Sequence, residues 1–447
     1  MANQFNKTKM AAAVSAAALG AGLAAPAGAV VVVGGNDGWE VSFDGNVNAF
    51  YTVGDFDAGY VTEANDKDSS RVHSGFLPAF FSFNVKSPTV NGVTGTARIS
   101  FAPVIHTGGN KTTFSAQSGN VGPVSNITGA QIDTREVVAN LSGAFGEVSF
   151  GRTLSLFGRN AILSDMTLFG VGFVPGGDHF GSVTFGRVGH GYTYPDFAAR
   201  FQYTTPNVNG FQLAVGLFDP ANMAGGSNYR TGWLDEADMP RFEGELSYST
   251  SFSGGSVKLW VDGLWQDLDS SCTGATNTFV GEAVVAGTLI TQGVAANCGS
   301  ITAQAWGAGA KVGYQGFEVV GYYHDNEGLG LTAQFNTAGV QLDANGNVIE
   351  REGDGYYVQG TYTFAGKTKV GVSYGEGNLD AVSTGGTSLY AGPGEVERSM
   401  WTVGVYHDVS SWLRLIAEYN HGEYDRGIAG ANKPDADTFS VGGFLFW

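Results

Sequence analysis

The chain closes on DTFSVGGFLFW, residues 437–447. Phe439, Val441, Leu445 and Trp447 fall on one side of a period-two alternation, with Ser440 and Gly442 on the other. A chain end left in water has little to bury and frays, so an aromatic residue in last position marks a terminus built to be covered. Such a strand is suited to sealing a β-barrel by pairing with the first strand, which removes the open sheet edge.

Composition agrees. The 447 residues include 69 glycines, 13% aromatic and only 14% charged residues, with a mean hydropathy of −0.03. That profile departs from an average globular chain, and no Pro/Ser-rich linker divides it. The formal charge of −18 argues against a nucleic-acid partner, because a phosphate backbone demands a basic footprint. At the start, Lys7 and Lys9 precede the small-residue run Met10–Ala29, which ends on an Ala-x-Ala pattern. These are the parts of a cleavable export signal, so residues 1–29 are expected to be a signal peptide and residues 30–447 the barrel. Removing the two lysines takes the net charge from −18 to −20. Beyond them no apolar run is long enough for a spanning helix.

From Trp39 onward the period is two, in segments of about ten residues, the length a tilted strand needs to cross a bilayer. VTGTARISFAP (93–103) sets Val93, Ala97, Ile99 and Phe101 against Thr94, Thr96, Arg98 and Ser100. FQLAVGLF (211–218) and YYVQGTYTF (356–364) repeat the pattern. Seven short turns (SPTVNG, SGAFGE, TTPNVNG, SFSGGS, YQG, FAGK, HDVSS) alternate with eight long polar stretches near 54–75, 107–130, 153–195, 219–241, 267–301, 326–353, 377–398 and 424–436. That alternation predicts an all-β transmembrane antiparallel β-barrel of about 16 strands with both ends on the periplasmic side. The strands are expected to start near 40, 76, 93, 131, 147, 196, 211, 242, 256, 302, 317, 355, 368, 399, 412 and 437.

Three stretches resemble the trimeric general porins of Gram-negative bacteria, of neisserial and enteric type: DTREVVANLSGAFGEVSFGR (133–152), RFQYTTPNVNGFQLAVGLF (200–218) and the terminal aromatic strand. The resemblance implies a water-filled diffusion channel in the outer membrane, a homotrimer in contact with membrane lipids and lipopolysaccharide, no cofactor and no catalytic residue. It also implies a terminal signal (Phe439, Val441, Leu445, Trp447) read by the barrel-assembly machinery. In that family the third loop folds into the lumen opposite a row of arginines. Here Arg135 matches the arginine opening the fourth strand and Arg152 the arginine of the following Gly-Arg. Either Arg187 or Arg200 matches the sixth-strand arginine, and Phe80 or Phe81 stands where the second strand should carry one. Arg98 faces the water side by its own alternation and supplies a substitute charge. FVPGGDHF (173–180) is similar to the family's loop tip, but Phe173, Val174 and Pro175 replace its acidic residue, leaving Asp165 and Asp178 as the loop acids.

The expected constriction is therefore a basic wall of Arg98, Arg135, Arg152, Arg187 and Arg200 facing Asp165, Phe173, Val174 and Asp178. Guanidinium groups stay charged at any working pH, and fixed charge with pore radius decides which hydrated solutes pass. With so few loop acids, the eyelet should favour anions. The competing reading is that these arginines only brace the barrel by pairing with carboxylates. Arg135 raises a problem of parity, because it shares its face with Val137, Ala139 and Leu141. Either the fourth strand turns a polar, small face outward, as a trimer contact would, or the register breaks near Thr134.

Cys272 and Cys298, 26 positions apart in one loop, read as a disulfide in an oxidising compartment, worth about 3–4 kcal/mol in the loop-entropy treatment. LDANGNVIE (342–350) spaces Asp343, Asn345 and Asn347 like a calcium loop, but Val348 stands where such a loop needs glycine, and an Asn-Gly hairpin explains it more simply. LDEAD (234–238) is an acidic loop able to attract divalent ions. No Gly-x-Ser-x-Gly elbow or metal-spaced histidine pair marks an enzyme, and no residue set marks a metal site. An adhesin or structural barrel, or a substrate-selective channel, is the alternative to a general pore.

Overall fold

The structure, a computed structural model, describes residues 31–34, 36–60, 66–103, 105, 132–174, 183–224, 232–234, 237–269, 276–285, 288–297, 299–388, 394–428, 430 and 432–447. It is a closed antiparallel barrel of sixteen strands. In chain order these are β1 (Glu40–Phe56), β2 in two pieces (Lys67–His73 and Phe80–Lys86), β3 (Thr94–Pro103), β4 (Ile132–Gly143), β5 (Gly146–Leu154), β6 (Phe197–Thr204), β7 (Phe211–Phe218) and β8 (Arg241–Phe252). The circuit continues through β9 (Gly255–Asp269), β10 (Ser300–Tyr314), β11 (Phe317–Glu327), β12 (Glu352–Phe364), β13 (Thr368–Leu379), β14 (Val396–Asp408), β15 (Leu413–Asp425) and β16 (Asp435–Phe446). Each strand pairs with the next, and β16 returns to β1 from Asn46↔Phe446 to Phe56↔Ala436. Trp447 extends the seam: its N–H and carbonyl each bond Gly45 at 3.1 Å, and its ring meets Phe81 edge-on at 5.4 Å.

The alternation read from the sequence is the alternation of the wall. Phe439, Val441 and Leu445 are exposed on the outside while Ser440 and Phe444 are buried inside. The tight turns use the backbone that twisted hairpins prefer: Asn91 and Gly92 both take positive φ (52° and 79°), as do Gln315 and Gly316 (46° and 91°). In the fifth long connection, Thr276–Val285 and Thr288–Asn297 pair as a further hairpin.

One strand departs from expectation. β2 begins at Lys67, well before residue 76, and is broken at residues 74–79. Its two pieces both pair with β1, at Phe50–Phe56 and at Glu40–Asn46. Across the break the backbone turns its hydrogen bonds inward: Phe76 N–H donates to the Gly170 carbonyl (2.9 Å) and Leu77 N–H to that of Leu168 (3.2 Å). The strand yields these bonds to the third loop, as a buried backbone must find partners somewhere. Asn48 fills the gap left on β1, donating to the Leu77 carbonyl and accepting from Gly75 N–H.

Candidate functional site

The third loop, described at residues 155–174 and 183–196, enters the barrel and lies along one side of it. Wall carboxylates receive it first. Glu243 accepts the N–H groups of Leu156 (2.7 Å) and Phe157 (2.9 Å), and Asp262 accepts that of Gly158 (3.3 Å). These acids hold the chain that leads into helix α1 (Arg159–Ser164), whose N-cap is Gly158. Arg159 then pairs with Glu245 at 2.8 Å. Tyr357 donates to the Ala161 carbonyl, and Gln359 bridges the Ser164 carbonyl and Met166 N–H.

The loop next crosses toward β15 and β16, where Phe169 stands edge-on to Phe444 (5.8 Å) and Phe446 (6.1 Å). Glu418 accepts the N–H groups of Val171 and Gly172. On the return, Arg187 reaches the Met400 carbonyl and Thr402 on β14, each at 3.0 Å, and Tyr194 N–H bonds the Thr332 carbonyl of the sixth loop at 2.7 Å. Phe76, Met166, Leu168, Val171 and Phe173 join Phe50, Tyr357, Tyr406 and Phe444 in one buried cluster. The loop and this part of the wall thus form one packed core. Among the described residues no hydrogen bond links 156–192 to the inward face of β3–β7, where the loop's contact is the packing of Leu156 on Ala198, Ala214 and Phe218.

Placement of the expected constriction residues differs from the five-arginine wall. Arg98 does project inward on β3, but it is fully engaged: bidentate to Asp44 (2.7 and 3.0 Å), with Glu136 at 2.7 Å and Asn84 and Ser82 beside it. Arg135 sits at a β-bulge. The β3–β4 pairing passes from Ser100↔Glu136 to Phe101↔Thr134, leaving Arg135 as the extra residue. The register breaks next to Thr134, and this resolves the parity problem: Arg135 turns in to Asp133 (2.9 Å) and the Tyr194 hydroxyl (3.1 Å), while Val137 and Leu141 remain outside. The outward face of β4 is therefore apolar, and the argument for a polar trimer contact there lapses.

Arg152 is a correction. It lies opposite Val137 and Ala199, both on the exposed outer face, so the pleat directs it away from the lumen. Arg187 belongs to the loop and not to a strand, and it is fully buried. Arg200 is the sixth-strand inward arginine; it donates to the Leu154 carbonyl and lies 5.5 Å above the Phe218 ring. Arg241, on β8, covers the same ring at 5.3 Å and pairs with Glu243 at 2.9 Å. Phe80 takes the inward place on β2, buried; Phe81 is outside.

The loop side also differs. Asp165 does not face the passage: its carboxylate accepts Thr167 N–H (2.9 Å), Thr167 hydroxyl (2.7 Å) and Tyr192 hydroxyl (2.8 Å) within the loop. Phe173 and Val174 are buried, Phe173 meeting the His190 ring at 4.4 Å with the planes tilted by 50°. Burial, and then Arg398 and Arg187, hold the His190 imidazole well below its ordinary 6.5. Asp178, Cys272, Cys298 and the signal segment 1–29 lie outside the described residues.

The calcium-like stretch is a hairpin, Val340–Leu342 against Val348–Glu350. Asp343 accepts the N–H groups of Asn345 and Asn347 and the Asn347 amide, which hold its carboxyl below the usual range. Among the described residues one group has metal-ligand chemistry, His421, Asp435 and Asp437 on the outer rim; there His421 Nδ1 is 3.0 Å from Asp437.

Sequence reasoning missed the loop's anchors on the far wall: Glu243, Glu245, Tyr357 and Gln359. Their signal was present in RFEGELSYS (241–249), where Arg241, Glu243 and Glu245 recur on one face of a strand.

The family model for Gram-negative porins matches residues 11–427. No curated protein sequence matches the chain. Solved structures share its fold at low identity. The outer membrane channel DcaP of Acinetobacter baumannii is 12% identical with a TM-score of 0.59, covering 93% of this chain and 99% of that one. OmpF of Salmonella typhi, in complex with daunomycin, is 12% identical with a TM-score of 0.54, covering 93% and 100%. The anion-selective porin from Comamonas acidovorans is 13% identical with a TM-score of 0.53, covering 92% and 100%.

Proposed function

Since the chain belongs to the Gram-negative porin family and resides in the outer membrane, we propose that it forms a water-filled channel for passive diffusion of small hydrophilic solutes and ions, with no enzymatic step. The observation that carries this reading is the third loop docked against one side of a closed barrel, facing a polar inner wall on β3–β7. The inward side chains of that wall are polar, Arg98, Glu136, Ser149, Arg200 and Gln202, the last four of them buried against their neighbours; a polar lining suits hydrated solutes.

An anion-favouring lumen is part of the proposal. Its support has moved from the wall where Asp44 and Glu136 neutralise Arg98 to the inner face of β9–β15, where Lys258, Lys311, Lys369, Arg398 and Arg414 outnumber Asp262, Glu318, Asp408 and Glu418 by one. A homotrimer, lipid and lipopolysaccharide around the apolar belt, and recognition of the terminal strand by the assembly machinery complete the reading. Planar-bilayer recording on the purified protein tests it. Discrete conductance closing in three equal steps supports a trimeric channel, and silence favours an adhesin or structural barrel.

A further inference from the structure

Lys258 on β9 and Lys311 on β10 are directly opposite each other on the inward face. Like charges in that position repel, and a sheet under no other constraint avoids them. Lys311 has a carboxylate, Glu318 at 2.8 Å. Lys258 has only the Asn160 side-chain carbonyl at the start of the third loop's helix, because nearby Glu245 is taken by Arg159. Farther along the same face, Lys369 on β13 has no hydrogen bond or ion pair among the described residues, and it lies within electrostatic range of Lys311, Arg414, Glu318 and Asp408. Arg414 is bound to Asp408 through two bonds, at 2.6 and 3.0 Å. After these pairings the patch retains two cations without a carboxylate of their own.

Neutral donors point the same way. Trp260, two residues beyond Lys258 on the same face, is buried, and its indole N–H finds no partner; that group can only donate. Thr361, opposite Glu318, is also buried with an unpartnered hydroxyl. A buried donor without an acceptor is costly, and here such groups neighbour unneutralised ammonium ions. On the facing wall acids and arginines are even: Asp44, Glu136 and Glu147 against Arg98, Arg135 and Arg200.

Resting on the channel reading above, we infer that Lys258, Lys311, Lys369, Trp260 Nε1 and Thr361 Oγ1 form a station for small oxyanions, carboxylate or phosphate, on the periplasmic half of the β9–β13 wall. The polarity of the passage is then set by lysines behind the third loop and not by an arginine row opposite it. Ammonium groups suit transit, since each offers three rotatable donors without the fixed bidentate grip of a guanidinium, and a channel site must release what it binds.

The test is planar-bilayer recording of the full-length wild type, K258Q/K369Q, K369R and, as an outward-facing control, R152Q, each checked for folding by heat-modifiable gel mobility. Reversal potentials in a potassium chloride gradient should show the anion preference falling about threefold in the double variant, less in the charge-conserving K369R, and not at all in R152Q. Inorganic phosphate should reduce chloride current through the wild type and lose that effect in the double variant. If the wild type conducts but selectivity and phosphate block survive the double substitution, or fall equally in K369R, the station is wrong and the channel stands. If the wild type does not conduct, the channel reading itself fails, and the station with it.

Discussion

A single carboxylate oxygen of Glu418, on the wall, accepts the backbone N–H groups of both Val171 (2.8 Å) and Gly172 (2.9 Å), while its other oxygen takes the Tyr406 hydroxyl at 2.5 Å. The fit is close: a Cβ at Gly170 would fall 1.7 Å from that carboxylate, and one at Gly172 would fall 2.5 Å from Gly186. The third loop is held in place by main-chain bonds that only a narrow backbone can reach.

Glu418→Ala should therefore free the loop without opening the barrel. It leaves two buried N–H groups and one hydroxyl without acceptors, each costing about 1–3 kcal/mol. Single-channel recordings should show larger and noisier conductance than wild type, with heat-modifiable mobility retained. Conductance identical to wild type would remove Glu418 as an anchor.

Arg98→Gln exposes Asp44 and Glu136 to the passage and breaks a half-buried pairing whose loss costs about 3–5 kcal/mol. The reversal potential should move toward cation preference, and Asp44→Asn in the same chain should bring it part of the way back. A shift toward anions would mean that the carboxylates do not face the passage.

His190 makes loop docking sensitive to pH. Buried against Phe173, with Nδ1 donating to the Val188 carbonyl at 3.2 Å and Arg398 and Arg187 nearby, it is neutral in the docked loop. A released loop regains the ordinary value and binds its proton first as pH falls through 6.5. Docking is complete above that value and weakens below it. Channel noise should rise between about pH 7.5 and about pH 5, and His190→Phe, which keeps a ring against Phe173, should flatten the rise.

Deleting Trp447 removes both bonds to Gly45 and the ring contact with Phe81. Folding into lipid vesicles, followed by gel mobility, should slow severalfold while the mobility of the folded product is unchanged. An unaltered rate would confine Trp447 to the cellular assembly step.

The barrel was legible because the pleat writes itself into sequence as a period of two, and because turn chemistry is local. Strand starts at 94, 197, 211 and 317 lie within a residue of those expected. The site was harder to read. An inward arginine says nothing of its partner, and Asp44, which engages Arg98, is 54 positions away. Arg152 was misplaced because a matching motif does not carry strand parity, which is fixed by its neighbours Val137 and Ala199. Arg135 was ambiguous for the opposite reason: alternation cannot cross a bulge. The break in β2 had a local cue in Gly75 and Pro78, but not its partners, the carbonyls of Leu168 and Gly170, some ninety residues downstream.

That break ties two events together. Residues 74–79 do not complete the sheet between β1 and β3, and the N–H groups of Phe76 and Leu77 are matched only when the third loop is seated. In hydrocarbon, backbone without partners is not tolerated. A barrel that closed with its loop outside would carry a polar defect in its own wall, so the chain is selected against becoming a wide, ungated hole: integrity of the shell and narrowing of the passage arrive together or not at all.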